Sequence, residues 1–220
     1  MSQNFQEFIE LHKVYIDRTD IAGKVCFTDE GKIESGAALI LDGPRRSGKT
    51  LFLSTIEAIF TLDKDWWMKN CPNLAITKIP NALDNKKLPV IRFNFGQATD
   101  TFSLNDLILS TLNKYLPENE RLSDDKIALI REDNRETNAE VKNLIKSKGK
   151  CVVLIDEFDS PMITLMHSTE FSEEEIDKQM VLLLEAQASF YSAIKELCEK
   201  HIAVVVLAGQ AKIAITSSKI

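Results

Sequence analysis

Apolar residues recur along the chain in two rhythms. Ala37-Ala38-Leu39-Ile40-Leu41, Cys151-Val152-Val153-Leu154-Ile155 and Ile202-Ala203-Val204-Val205-Val206-Leu207 are unbroken runs, and Leu88–Gly96 is a looser one. Short apolar runs bounded by polar segments predict strands, and the lack of alternation predicts burial on both faces of a sheet. Between them the period changes to that of a helix. Phe52, Ile56, Ile59 and Phe60 make one stripe, and Leu104, Leu107, Ile108 and Leu112 another within Ser103–Tyr115. Ile127, Ile130, Val141 and Ile145 mark solvated helices in the charged stretch 117–149. Ser172-Glu173-Glu174-Glu175 is a capping box opening a long helix. Its stripe runs through Ile176, Met180, Leu183, Leu184, Phe190, Ile194 and Leu197, with Gln187 interrupting the face. Residues 3–13 predict a short amphipathic helix with Phe5, Phe8, Ile9 and His12 near one face.

Strands separated by helices predict an α/β chain with a parallel sheet covered on both faces. No repeat, low-complexity tract or linker divides the 220 residues, so residues 1–220 are expected to form one domain. Two regions are less regular. Residues 14–20 alternate and predict a strand or an extended segment, and Gly23, Gly31 and Gly36 punctuate the approach to Ala37. Asp63–Lys87 reads as irregular, with Trp66 and Trp67 in a packed loop over the sheet edge rather than on an open stacking platform.

Composition narrows the classes. A formal net charge of −6 gives no general attraction for nucleic acid, and nothing in these residues demonstrates contact with DNA or RNA. No apolar run reaches the length of a membrane span, and Met1–Glu7 lacks the regions of a secretory signal. Cys26, Cys71, Cys151 and Cys198 show no C-x-x-C spacing, as expected of reduced thiols in a cytoplasmic protein. His12, His167 and His201 are scattered, so no zinc cluster is expected.

The chemistry gathers after the first strand. Gly43-Pro44-Arg45-Arg46-Ser47-Gly48-Lys49-Thr50, with Leu51 next, is a complete G-x-x-x-x-G-K-[ST] phosphate loop between a strand and a helix. Glycines allow the tight turn, so successive N–H groups point at a phosphate chain, and the helix dipole adds positive charge there. Lys49 is placed to reach β- and γ-phosphates and the Thr50 hydroxyl suits Mg²⁺. Arg45 and Arg46 either touch phosphates or point to solvent. Asp156 and Glu157 end the strand 151–155 at the carboxyl side, where α/β sheets hold ligands. Asp156 is the expected second Mg²⁺ ligand, and Glu157 the residue that orients an attacking water. Asp159 either supports the metal or begins a helix. Gln210, after the last strand, either senses the terminal phosphate or sits in an ordinary turn.

These stretches resemble a family of AAA-ATPase-like domains often found ahead of a nuclease-like domain of the PD-(D/E)XK type. Tyr15-Ile16-Asp17-Arg18-Thr19 is similar to its Y-[VI]-D-[KR]-T segment, and Pro44–Leu51 to its P-R-R-F-G-K-[ST]-L loop, the Walker A motif. Pro89–Phe95 resembles P-V-I-x-L-D-F, Val153–Pro161 resembles V-L-I-D-E-[YF]-D-x-P, the Walker B motif, and Phe190–Lys195 resembles F-Y-x-x-[IL]-K. The resemblance implies a P-loop NTPase fold of the additional-strand (AAA-like or STAND-like) type, the last strand lying between the loop strand and the acidic strand. It also implies ATP as ligand, with Lys49, Thr50, Asp156 and Glu157 in the roles above. Ala208-Gly209-Gln210-Ala211-Lys212 departs from the family's T-G-V-S-K, so a hydroxyl sensor is lost at Ala211. A fifth strand, a helical lid, an arginine finger and the nuclease-like domain are expected to be missing, which leaves the loop strand with an open edge.

The leading expectation is an ATP-binding, Mg²⁺-dependent hydrolase that acts as a switch on a protein partner or attached module, with a protein partner or self-association as the expected contacts. One alternative is a catalytically inactive nucleotide-binding module. Another is a small-molecule kinase, against which the Asp156–Glu157 pair counts.

Overall fold

The computed structural model describes residues 4–11, 14–84 and 87–210. Its sheet contains β1 (Ala37–Asp42), β2 (Val90–Asn94), β3 (Cys151–Asp156) and β4 (Ile202–Gly209), all parallel, in the order β1-β4-β3-β2. The last strand in sequence therefore separates the loop strand from the acidic strand, as the resemblance implied. β3 and β4 are buried along their whole length, which is why their apolar runs lack a polar alternate. Registers pair Asp42 with Gly209, Ala208 with Asp156 and Asp156 with Asn94, so the four carboxyl ends finish nearly level.

Helices cover both faces. On one, α1 (Phe5–Glu10), α2 (Thr19–Cys26), α3 (Lys49–Thr61) and α4 (Lys64–Asn70) pack on Val152, Leu154, Val204 and Val206. On the other, α5 (Thr101–Tyr115), α6 (Asp124–Ile130), α7 (Asn134–Lys148), α8 (Ser160–Met166) and α9 (Glu173–Leu197) enclose Phe93, Val153, Ile155, Val205 and Leu207. The capping box of α9 is formed as expected, with reciprocal bonds between Ser172 and Glu175. The polar break in its stripe has a partner: buried Gln187 donates from Nε2 to the Phe158 carbonyl at 2.8 Å.

Three expectations need correction. β1 is not buried on both faces: Leu39 and Leu41 pack inward, while Ala38, Ile40 and Asp42 are exposed on the other face, Ile40 by 46%. It lies at the sheet edge with β4 as its neighbour, so half of its apolar run is uncovered among the described residues. The stretch 63–87 is not irregular throughout, because Asp63 caps α4 through the Trp66 N–H. Trp67 is fully buried and stacks on Phe5 with ring centroids 5.2 Å apart, and Trp66 is partly buried against the same core, so the pair is packed as expected, on a helix and not in a loop. Finally, Gly23 does not punctuate a loop but lies inside α2, where a side chain would collide with Ile79.

Candidate nucleotide site

Between β1 and α3 the backbone reverses within a few residues. Arg46 (φ 66°) and Gly48 (φ 86°) adopt the left-handed region, comfortable for glycine and uncommon for arginine. Lys49 begins the helix, and its Nζ donates to the Gly43 carbonyl at 2.6 Å and the Pro44 carbonyl at 2.8 Å, with Ser47 Oγ at 3.5 Å. The ammonium is thus held at the loop by dipoles that phosphate oxygens, carrying full charge, outcompete. Thr50 follows in the first helical turn, and Leu51 forms part of an adjoining cleft.

Across β4 stands the acidic strand end. Asp156 is almost completely buried. Its Oδ2 accepts Arg92 Nη2 at 3.0 Å and its Oδ1 accepts the Glu157 N–H at 3.1 Å. Arg92 Nη1 also reaches Glu57 Oε2 on α3 at 3.4 Å. The Arg92 backbone N–H is bound by the Tyr115 hydroxyl at 2.9 Å, and burial pushes that phenol above its ordinary value. Glu157 is exposed and carries φ 53°, a strained conformation of the kind that clusters at functional sites. Its carboxylate rests against Gly96, so closely that a side chain there would overlap Oε2. It faces a polar cleft of about 350 Å³ lined by Arg92, Asn94, Gln97, Ser110 and Lys114.

Gln210 joins the two halves. Its Oε1 accepts Arg45 Nε at 3.1 Å, and its backbone N–H donates to Asp159 Oδ2 at 2.6 Å. Lys49 and Thr50 share no hydrogen bond or ion pair with Asp156 or Glu157 among the described residues. The structure therefore groups the loop residues with Lys49, and Gln210 with Arg45, while Glu157 turns toward β2.

A glycine-turned loop holding a lysine at its mouth, two strands from a buried acid, is matched along nearly the whole chain by one family. The family model described as Predicted AAA-ATPase matches residues 2–218. The chain belongs to that family. It is also similar to an uncharacterized protein in the vnfD 5' region of Azotobacter chroococcum mcd 1, with 27% identity over 210 residues. That alignment covers 92% of this chain and 35% of the relative, so the chain spans about a third of the relative's length. Membership of this family supports nucleotide binding by the chain.

The family's Y-[VI]-D-[KR]-T segment has a place in this site that its sequence did not reveal. Arg18 Nη1 donates to the Ser47 carbonyl of the loop at 3.0 Å, and the Tyr15 hydroxyl meets Thr55 Oγ1 on α3 at 3.2 Å. Asp17 accepts the Thr19 N–H and hydroxyl with one oxygen and the Ala75 N–H with the other. Burial pushes the Asp17 carboxyl up, but these bonds outweigh it and hold the group below its ordinary value. The pinned segment lines an apolar cleft of about 330 Å³ beside Ser47 and Gly48, and Val14 and Ile16 stay exposed there. Arg92 was equally unassigned by motif, although a lone cation in a buried strand signals a paired acid nearby. The expected loss of a hydroxyl sensor at Ala211 lies outside the described residues. Among the described residues no three His, Cys, Asp or Glu side chains group as a metal site, and no helix is long and apolar enough to cross a membrane.

Proposed function

We propose that residues 1–220 act as one cytoplasmic ATPase domain that binds Mg²⁺–ATP and hydrolyses it as a switch for a protein partner or attached module. The observation that carries this reading is Lys49 Nζ held by the Gly43 and Pro44 carbonyls at the mouth of the loop. In this account backbone N–H groups from Gly43 to Thr50, with Arg45 and Arg46, receive the phosphates. Lys49 moves from the carbonyls to β- and γ-phosphate oxygens. The apolar cleft beside Gly48, walled by Tyr15, Ile16 and Leu51, suits the flat face of a purine base.

Thr50 and Asp156 supply the hard oxygen donors that Mg²⁺ favours, a hydroxyl and a carboxylate. Mg²⁺ held by these two residues would supply charge neutralisation for the phosphates. To hold the ion Asp156 would release Arg92, which would keep Glu57 as its partner. Glu157 takes a proton from the attacking water and holds it in line with the γ-phosphorus.

A second reading is a nucleotide-holding module without turnover. It draws support from Glu157 resting against Gly96 and from the Arg92 contact on Asp156. Phosphate release by the purified chain with Mg²⁺ and ATP separates the two. Turnover in wild type, loss of binding in Lys49→Ala and binding without release in Glu157→Gln support hydrolysis. Binding without release in wild type selects the second reading, and failure of all three proteins to bind nucleotide refutes both.

A further inference from the structure

We propose that Asp159 is a positioning residue: it fixes Gln210, and through Gln210 the loop residue Arg45, so that the end of β4 distinguishes a triphosphate from a diphosphate. This rests on the nucleotide-binding reading above. The strand registers place Gln210 between the two halves of the site. Asp42 pairs with Gly209, so Gln210 is level with Gly43, where the loop begins. Asp156 pairs with Ala208, so Glu157 is level with Gly209, one residue before Gln210.

The turn after β3 is clamped to β4 at two points. The Phe158 N–H donates to the Ala208 carbonyl at 3.1 Å, and Asp159 Oδ2 accepts the Gln210 N–H at 2.6 Å. Between these bonds lies Gly209, where an added Cβ would come within 2.5 Å of the Phe158 ring and 2.7 Å of Asp159 Oδ1. The missing side chain is what lets the strand end press on the acid. Phe158 is held from behind by Gln187, whose side chain donates to its carbonyl at 2.8 Å. Asp159 itself is fully buried, and a carboxylate is retained there only where bonds of this kind compensate the loss of water.

The consequence runs outward through Gln210. Its backbone is fixed by Asp159, and its side-chain oxygen accepts Arg45 Nε at 3.1 Å. A γ-phosphate offers the Arg45 guanidinium and the Gln210 amide a charged acceptor, whereas a diphosphate ends one group short. Asp159 therefore matters to triphosphate binding and not to diphosphate binding, although it touches neither.

Equilibrium titration with fluorescent ATPγS and fluorescent ADP tests this on wild type, Asp159→Ala, Gln210→Ala and the double variant. Each single substitution is expected to weaken ATPγS by about tenfold or more, the range of one hydrogen bond to a charged group. ADP affinity is expected to stay within about twofold, and the double variant to match the singles, because the two residues act as one unit. Asp159→Asn keeps a neutral acceptor and falls between; it carries the test with Gln210→Ala if Asp159→Ala does not fold. Equal weakening of ATPγS and ADP, additive losses, or unchanged ATPγS affinity overturns the relay while leaving nucleotide binding intact. Wild type that binds neither nucleotide refutes the functional reading itself, and the relay with it.

Discussion

Replacing Arg92 by methionine removes the charge from β2 while keeping most of its methylene volume. Asp156 is then left with a side chain only 2% exposed and without its cationic partner. Breaking a fully buried ion pair by removing one member costs about 3–5 kcal/mol. Two features reduce the figure here: Arg92 is 21% exposed, and the Glu157 N–H still binds Asp156. The Glu57 arm is about a third exposed at 3.4 Å and contributes little. A net loss of about 2–3 kcal/mol follows, which in a chain of this size lowers Tm by about 4–12 °C. Thermal unfolding at pH 7, followed by circular dichroism, measures it. Arg92→Met/Asp156→Asn is expected to recover at least half of the loss, because the stranded charge is gone. A Tm within about 2 °C of wild type, or a double variant worse than the single by the full cost of another lost contact, would refute the argument.

Gly96→Ala tests the resting place of Glu157. Gly96 has no positive φ to preserve, so the added methyl acts by crowding the carboxylate off the β2 side. Phosphate release is expected to rise about threefold, a change of less than 1 kcal/mol in the barrier, with ATP affinity unchanged; a fall in release at unchanged affinity contradicts this. Asp17 gives a pH dependence. Its folded-state value lies below the ordinary 3.8, so its contribution is in place above that value and is lost as pH falls through the lowered one. Acid unfolding of wild type and Asp17→Asn is therefore expected to show a stability difference near neutral pH that shrinks as pH falls below the ordinary 3.8, and a difference that persists undiminished at low pH counts against the bonding described.

Sequence rhythm conveyed the sheet well because β3 and β4 are central, and centrality is what removes polar residues from a strand. β1 shared their apolar character without sharing their burial. Its composition does not say that a neighbour covers only one face. Helix α9 was legible to its first residue through Ser172 and Glu175, a signal carried by local chemistry. Helix α2 was hidden for the opposite reason. Its start at Thr19 has no side-chain cap from Arg18, and its Gly23 is there for contact with Ile79, fifty-odd residues away in sequence. In the site, the loop and the acid pair declared themselves through spacing. The positions of Arg18 and of Gln210 with Asp159 depend on register and on how the segment 14–19 lies over the loop, which no local pattern encodes. Arg92 was within reach: a charge inside a strand of Val90, Ile91 and Phe93 must find a buried partner.

Isothermal titration of Mg²⁺–ATP into wild type and Lys49→Ala addresses the central claim most directly. Wild type is expected to bind one nucleotide per chain. Lys49→Ala is expected to bind at least about thirtyfold more weakly, the worth of ~2 kcal/mol in charge-assisted bonds, with its Tm preserved. A folded Lys49→Ala that binds Mg²⁺–ATP as tightly as wild type, or a folded wild type that binds none, would contradict the assignment of this loop as the nucleotide site.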